Sequence, residues 1–365
     1  MRHDGDDDRP RANGEAPASK KPRVDKAPAS DERAAASKSD ANKQSTRILE
    51  LAPPLVQQPV FAQIMSVCAQ PSGKWLAMSM NWGKFVTIVD SAMKEVHRIS
   101  DVGGDHICFT DERLYVCHYA SASTAWCPCV KSFDAASFDA VATYKEAKLY
   151  ESPSESAPYA PYGCSPGEFV TPTHANGTLY VMGRWSPLEG IGDGVGKIVA
   201  LDAQTLVKRF EFGEGVLRTS DVGGMTVGGE ELYVGGHRRM HIFSLTGELL
   251  REIRGDWMRT TSSTIGLELL FHDGRLYSEY GRPKTMSFGM SFGRGGSEDD
   301  VGHILVLTPQ GETLQVWKAP ASTSVMSMTV FGGQLLVLLD RQIVTQRGTV
   351  QTMTTTRELI ILNGL

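Results

Sequence analysis

Short runs of apolar residues alternate with tight polar turns along most of the chain, and the runs come in pairs. The second run of each pair reads Leu-Tyr-Val or a variant of it. Paired runs of this length, joined by a turn that contains glycine or another polar residue, predict β-hairpins. Six such hairpins begin near Met65, His106, Phe169, Met225, Leu267 and Met326.

A second pair of apolar runs follows each hairpin, as in Phe85–Val89 with Glu95–Ile99 and His241–Phe243 with Leu249–Ile253. Two hairpins make a four-stranded antiparallel unit, and six units of roughly 50 residues are typical of propeller blades. Strands this short need neighbouring sheets to bury their faces. The pattern therefore predicts an all-β fold, a six-bladed β-propeller with a disordered N-terminal tail.

The last unit has no fourth apolar run after residues 358–365, whereas the unused apolar stretch 47–51 precedes the first unit. We expect these two segments to pair, which would complete the last blade and cover a strand edge. The alternative is a three-stranded last blade. The expected domains are a charged disordered tail, residues 1–46, and a single propeller, residues 47–365.

The tail contains no Leu, Ile, Phe, Trp or Tyr, so it cannot bury enough apolar surface to become ordered. Its basic cluster Lys20, Lys21 and Arg23 is typical of a weak nuclear import signal, and the alternative is an ordinary solvated charge run. No apolar run is long enough for a transmembrane helix or a secretory signal. We therefore expect a cytoplasmic protein, a nuclear protein or both, with no membrane partner.

The formal net charge of the whole chain is −5, which does not favour a general polyanion binder. Residues 1–47 hold 11 basic and 9 acidic residues, so the remainder carries a net charge of −7. A basic recognition patch would therefore require segregation of charge to one face of the predicted ring.

The connections between predicted strands are long on only one face of the ring. Second-to-third strand connections and blade-to-blade connections emerge on the same face of a four-stranded meander; we call this face the rim. Long loops on a rigid scaffold commonly carry binding residues, and neutral insertion is the alternative explanation. The long connections are residues 119–129, 145–168, 183–196, 280–302 and 340–356.

Aromatic and basic residues are interleaved in and around these rim segments. Such side chains can anchor a peptide, clamp carboxylates or phosphates, or stack on bases. We expect a protein or peptide partner, and RNA is the less favoured alternative. The candidate residues are Trp82, Tyr119, Trp126, Arg184, Trp185, His237, Arg238, Arg239, Tyr280, Arg282, Lys284 and Arg341.

The segment Ser-Asp-Val-Gly-Gly occurs twice, at residues 100–104 and 220–224, each time before an innermost strand. Asp101 and Asp221 are therefore candidates for polar residues at the mouth of the central channel. A turn role, in which the carboxylate binds backbone amides beside the Gly-Gly bend, is the structural alternative.

Chemical motifs do not converge on a catalytic site. The Gly-x-Ser-x-Gly segments 163–167 and 289–293 lack the strand-to-helix context of a nucleophile elbow. Cys127-Pro-Cys129 is spaced too tightly for a structural zinc site, and we expect reduced thiols in a loop there. No catalytic residue, metal or cofactor is expected. The cysteines are Cys68, Cys108, Cys117, Cys127, Cys129 and Cys164.

Two motifs carry a resemblance to a known family: Gly-Glu-Glu-Leu-Tyr-Val-Gly at residues 229–235 and Leu-Thr-Gly-Glu-Leu at 245–249. With them, residues 47–365 resemble the six-bladed propellers of NHL-repeat proteins, and more distantly the gluconolactonase-like propellers. The Gly-His and Trp-Asp pairs of WD repeats do not recur. The NHL resemblance implies a module that binds protein or RNA. The gluconolactonase resemblance implies an axial divalent metal, but the matching entry at residues 61–67 lacks the glutamate of that family.

We therefore expect a monomeric, non-enzymatic recognition or scaffold propeller that binds a protein or peptide through its rim. The alternative is a metal-dependent hydrolase or lactonase with its site at the channel mouth, for which Asp101 and Asp221 are the candidate residues.

Overall fold

The computed structural model describes residues 46–48, 64–80, 85–102, 106–122, 125–146, 168–185, 195–217, 223–236, 239–254, 268–280, 303–320, 323–347 and 350–362. All helical or strand structure in these residues is β-strand, so they contain no helix that could cross a membrane. The expected disordered tail and its cluster Lys20, Lys21 and Arg23 lie outside the described residues.

The strands of the first three blades are β2 (Ile64–Ala69), β3 (Leu76–Met80), β4 (Phe85–Val89) and β5 (Glu95–Ser100); β6 (His106–Phe109), β7 (Arg113–Ala122), β8 (Ala125–Asp134) and β9 (Ala140–Lys145); and β10 (Glu168–Ala175), β11 (Thr178–Trp185), β12 (Val195–Asp202) and β13 (Lys208–Phe212).

The strands of the last three blades are β14 (Met225–Gly228), β15 (Glu231–Gly235), β16 (Arg239–Ser244) and β17 (Leu249–Arg254); β18 (Leu269–His272), β19 (Arg275–Tyr280), β20 (His303–Leu307) and β21 (Thr313–Lys318); and β22 (Thr323–Phe331), β23 (Gln334–Arg347) and β24 (Val350–Leu362), joined by β1 (Thr46–Ile48).

These strands form six four-stranded antiparallel sheets among the described residues. The first strand of each sheet contacts the first strand of the next sheet, and β22 of the last sheet contacts β2 of the first. The contacts therefore form a closed ring, which confirms the six-bladed propeller that the repeat predicts. The faces of neighbouring sheets enclose the core, and one leucine just after each first turn has no exposed surface in five blades: Leu76, Leu114, Leu179, Leu232 and Leu276.

The predicted Asn176-Gly177 hairpin turn is present between β10 and β11. Ala175 faces Thr178 across the two turn residues, whose φ angles are 48° and 69°. Both turn residues lie in the left-handed region that asparagine and glycine tolerate. The turn chemistry of the sequence therefore sets the register of this hairpin.

Backbone amides of the innermost strands donate hydrogen bonds to side chains of the preceding blade. The amide of Ala69 donates to Thr329 Oγ1 over 3.0 Å, and the amide of Phe271 donates to Thr226 Oγ1 over 3.1 Å. The amide of Phe109 donates to the Cys68 sulfur over 3.2 Å. These amides lie at equivalent positions, directly before the turn that ends the inner strand. Side-chain oxygen and sulfur atoms thus supply the partners that a fifth strand would otherwise provide.

The tyrosine of the Leu-Tyr-Val motif connects each of two blades to the blade that follows. Tyr115 donates to the Ala203 carbonyl over 2.9 Å, and Tyr180 donates to the Leu245 carbonyl over 2.8 Å. Both carbonyls lie in the turn between the third and fourth strands of the next blade. Burial raises the pKa of Tyr115, so its hydroxyl stays a donor at neutral pH. The repeated tyrosine is therefore an inter-blade contact as well as a core residue.

The last sheet has its fourth strand from the other end of the chain. Thr46 faces Leu362, and Ile48 faces Ile360, in antiparallel pairing of β1 with β24. The sheet order is β1-β24-β23-β22, so this blade has four strands. Residues 49–51 and 363–365 of the two segments that we expected to pair lie outside the described residues.

We expect Tyr115→Phe and Tyr180→Phe each to lower the free energy of unfolding by about 1 kcal/mol, because a carbonyl in the neighbouring blade loses its donor. Urea denaturation of the purified chain measures the change. Tyr233→Phe is the control, because this tyrosine of the same motif donates to Glu231 on its own strand. Equal effects of all three variants would contradict an inter-blade role.

Candidate functional site

Two of the long rim connections are paired strands, not loops. The β7–β8 hairpin continues to Ala122 and Ala125, although β6 pairs with β7 only to Cys117. The β23–β24 hairpin continues to Arg347 and Val350. The expectation of loops at residues 119–129 and 340–356 is therefore wrong. We call these projecting parts the 7/8 ribbon, residues 118–128, and the 23/24 ribbon, residues 342–355.

The other predicted rim features lie mostly outside the described residues. The segments 147–167, 186–194 and 281–302 of the long connections are among them. Arg184, Trp185 and Tyr280 end the strands β11 and β19, while Tyr119 and Trp126 belong to the 7/8 ribbon; the structure describes only their backbone. The candidates outside the described residues are Trp82, Asp221, His237, Arg238, Arg282 and Lys284.

The two described rim arginines each lie near a glutamate on the next strand. Arg239 Nη1 lies 3.9 Å from Glu252 Oε1, and Arg341 Nη1 lies 3.4 Å from Glu358 Oε1. The Arg341 side chain is 48% exposed, so its guanidinium still faces solvent. The rim therefore presents cations with carboxylates beside them, and it is not a uniformly basic surface at these positions.

Three basic side chains on the third and fourth strands of blade four lie near the Glu252 carboxylate. Besides Arg239, it lies 3.2 Å from Arg254 Nη2 and 3.7 Å from Nδ1 of the fully buried His241. The sequence contains these residues as an alternating Arg-x-His and Glu-x-Arg pattern, but only the strand register brings them together. The arrangement holds the half-buried Arg239 and the exposed Arg254 at the rim end of the blade.

Asp101 lies in the connection between β5 and β6, and its side chain is exposed. Its φ angle of 60° lies in the left-handed region, which aspartate adopts in turns more readily than most residues. The described residues contain no group of three or more His, Cys, Asp or Glu side chains that could hold a metal ion. The hydrolase hypothesis therefore has no ligand set among them.

A buried ion pair, which the sequence analysis missed, lies at the joint between the last and first blades. Arg357 Nε donates to Asp340 Oδ1 over 3.2 Å, and Arg357 Nη1 also contacts the Ile64 carbonyl and, at 2.9 Å, the Met65 sulfur. Asp340 and Arg357 face each other across β23 and β24, at the base of the 23/24 ribbon. Their separation in sequence hides the pair, because only the hairpin register identifies them as neighbours.

Cys68, Cys108 and Cys117 form no disulfide, and their thiols are buried or half-buried. Burial raises the pKa of Cys68 to about 11 and raises the pKa of Cys117 further, so both stay protonated at neutral pH. Cys129 lies in β8 with no exposed surface, which corrects the expectation of a loop thiol there. Protonated buried thiols are poor nucleophiles and poor metal ligands.

No family model matches the sequence, and no curated protein matches it. Among solved structures, the WD40 domain of Pan2 from Neurospora crassa is similar with a TM-score of 0.51 and 8% identity, covering 88% of this chain and 96% of that chain. A luciferin-regenerating enzyme is similar with a TM-score of 0.49 and 11% identity, over 88% and 96% of the two chains. At this identity, the similarity to the Pan2 domain shows the propeller fold alone. The NHL and gluconolactonase resemblances stay predictions.

We expect Arg357→Met to lower the free energy of unfolding by about 3–5 kcal/mol, because it leaves the Asp340 carboxylate buried beside an apolar group. The double variant Asp340→Leu/Arg357→Met should recover most of this loss, since no charge then remains buried. Chemical denaturation at pH 7 measures both. A double variant that is as unstable as the single one would contradict this account.

Stability should also depend on pH through Asp340. Burial raises the pKa of Asp340 above its ordinary 3.8, and the Arg357 guanidinium opposes the shift. A raised pKa means that the folded state holds the proton more tightly, so the stability due to this proton is lost as pH rises through the raised value. We expect the unfolding free energy of wild type, relative to Asp340→Asn, to decrease as the pH rises from below 3.8 towards neutrality. An increase over that interval would contradict the raised pKa.

Proposed function

We propose that the chain is a recognition propeller that binds a protein or peptide partner at its rim. One observation carries this proposal: the rim is the face where two hairpins extend beyond the blades, whereas the opposite face has short turns. The 7/8 ribbon extends five residues past the last β6–β7 pair, or about 16 Å of strand. The projecting hairpins enlarge the surface that a partner can reach.

The opposite face supports the contrast, because its turns are short and internally bonded. Asp90 Oδ1 accepts from the amides of Ala92 and Lys94, and Asp202 Oδ1 accepts from those of Gln204 and Thr205. These carboxylates are occupied in holding the turn between the third and fourth strands. Little of their hydrogen-bonding capacity is left for a ligand.

The charges described at the rim favour a protein or peptide over RNA. Arg239 and Arg341 lie beside Glu252 and Glu358, so a phosphate backbone that approached either arginine would also approach a carboxylate. Nucleic-acid binding depends on net neutralisation of phosphates by cations. Mixed pairs of this kind instead suit a polar protein surface, where exposed charges of both signs guide specificity.

We expect the variant Arg239→Glu/Arg341→Glu to recover its partners at least ten-fold less well than wild type in affinity capture from extracts of the cells that make the protein. The introduced glutamates would remove the cations that a partner contacts, and they would lie beside Glu252 and Glu358, so that the rim becomes negatively charged there. Quantitative mass spectrometry compares the recovered proteins.

The matched control is Lys74→Glu/Arg275→Glu, which makes the same change of charge in exposed turns on the opposite face. A second rim variant replaces residues 118–129 by a two-residue turn. Partners lost from both rim variants and kept by the control support the proposal. Equal recovery by all four proteins would refute it.

A further inference from the structure

The 23/24 ribbon has strand edges that no described strand covers. Inner strand β22 pairs with β23 only as far as Arg341, and outer strand β1 pairs with β24 only over residues 360–362. Residues 342–347 and 350–355 pair with each other beyond these limits and extend for about 20 Å. Within the described residues, the outer edge of β24 from Val350 to Leu359 therefore has backbone groups with no strand partner.

The composition of this edge does not protect it against pairing with another strand. Residues 350–356 read Val-Gln-Thr-Met-Thr-Thr-Thr and contain no charge, no proline and no glycine. Natural proteins usually block exposed edges with lysine, proline or a bulge. The 7/8 ribbon carries such a block, because Pro128 lies in its β8 strand. The edge of the 23/24 ribbon is the unblocked one of the two.

The register tells which amides of β24 point outward. Arg347 faces Val350 across two residues, and the closing pair of a two-residue hairpin exchanges both backbone hydrogen bonds. Hydrogen-bonded positions alternate along the strand, so the amides of Gln351, Met353 and Thr355 face the outer edge. The same rule applied to the Ala122–Ala125 closing pair places Pro128 at an outward position. Proline is tolerated there, since an outward residue needs no amide hydrogen.

We propose that two copies of this chain associate edge to edge through β24, antiparallel and centred on Met353. In this register Met353 of one chain faces Met353 of the other chain. Gln351 of each chain faces Thr355 of the other. All three positions have outward amides, so each can exchange hydrogen bonds across the interface.

A second copy fits this edge because the segment is complementary to itself. No charged residue within 350–356 opposes another, whereas like charges directly opposite one another destabilise a strand pair. A two-fold arrangement also covers both edges in one closed contact, which prevents further strand addition there. The association continues the antiparallel pairing that β1 makes with the same edge at residues 360–362. It does not rest on the proposed function.

The interface is small, so we expect a weak and reversible dimer, in place of the monomer expected from the sequence. Sedimentation velocity over protein concentrations from about 1 to 200 µM tests it. Wild type should move from the mass of one chain, 39.8 kDa, towards twice that mass. Met353→Pro, which removes one outward amide, should dissociate at least ten-fold more readily. Met353→Thr, which keeps that amide, should associate like wild type.

A disulfide test checks the register. Under mild oxidation, Met353→Cys should form a cross-linked dimer, because facing residues of antiparallel strands lie within disulfide range. Val350→Cys should not, because it faces Thr356 of the other chain. Wild type measures the background from native cysteines. A wild-type chain that stays monomeric at every concentration would overturn the proposal, as would a dimer that Met353→Pro leaves unchanged. If wild type stays monomeric, the edge of β24 would instead pair with something else, such as a strand from a different protein.

Discussion

The ring depends on how each sheet satisfies the backbone of its innermost strand. That strand has a β partner on one side only, so its other edge must find hydrogen bonds elsewhere or lose about 1–3 kcal/mol for each buried amide. Thr226, Thr329 and Cys68 supply acceptors to the next blade at equivalent positions. The equivalent residue of blade five is Leu270, which has no such acceptor. The pattern thus explains why small polar residues occur in strands that are otherwise apolar.

The outermost strand of the last blade also has an edge whose backbone groups need hydrogen-bond partners, and here a strand supplies them. There β1 covers the end of β24, and the buried pair of Asp340 and Arg357 connects this sheet to the Ile64 carbonyl of the first blade. The joint therefore combines backbone pairing with a charged contact. Beyond the joint, β23 and β24 continue together as a ribbon, and the problem of the unpaired edge returns at the rim. The β23–β24 hairpin therefore both closes the ring, through the pairing of β24 with β1, and extends the rim, through the 23/24 ribbon.

The structure describes only part of the predicted rim. Sequence reasoning predicted long connections on this face, because strand order fixes the side on which each type of connection emerges. It did not pair Arg239 and Arg341 with glutamates, since these glutamates lie 13 and 17 residues away and become neighbours only through the register. It also read residues 340–356 as a loop, although the Thr, Val and Ile content of this segment favours a strand. That composition was the signal that could have indicated a ribbon.

The amino-acid sequence by itself determined the hairpins, their turns and the number of blades, because alternation of apolar residues and turn chemistry act over a few neighbouring residues. Asn176-Gly177 and the Leu-Tyr-Val runs are examples whose local structure follows from their own residues. The tertiary structure alone decided the acceptor for Tyr180 in the next blade, the partner of Asp340 across the β23–β24 hairpin and the strand edge that β24 leaves open. The first two contacts join residues 65 and 17 positions apart in the chain, and only the ring and the strand register bring them within hydrogen-bonding distance.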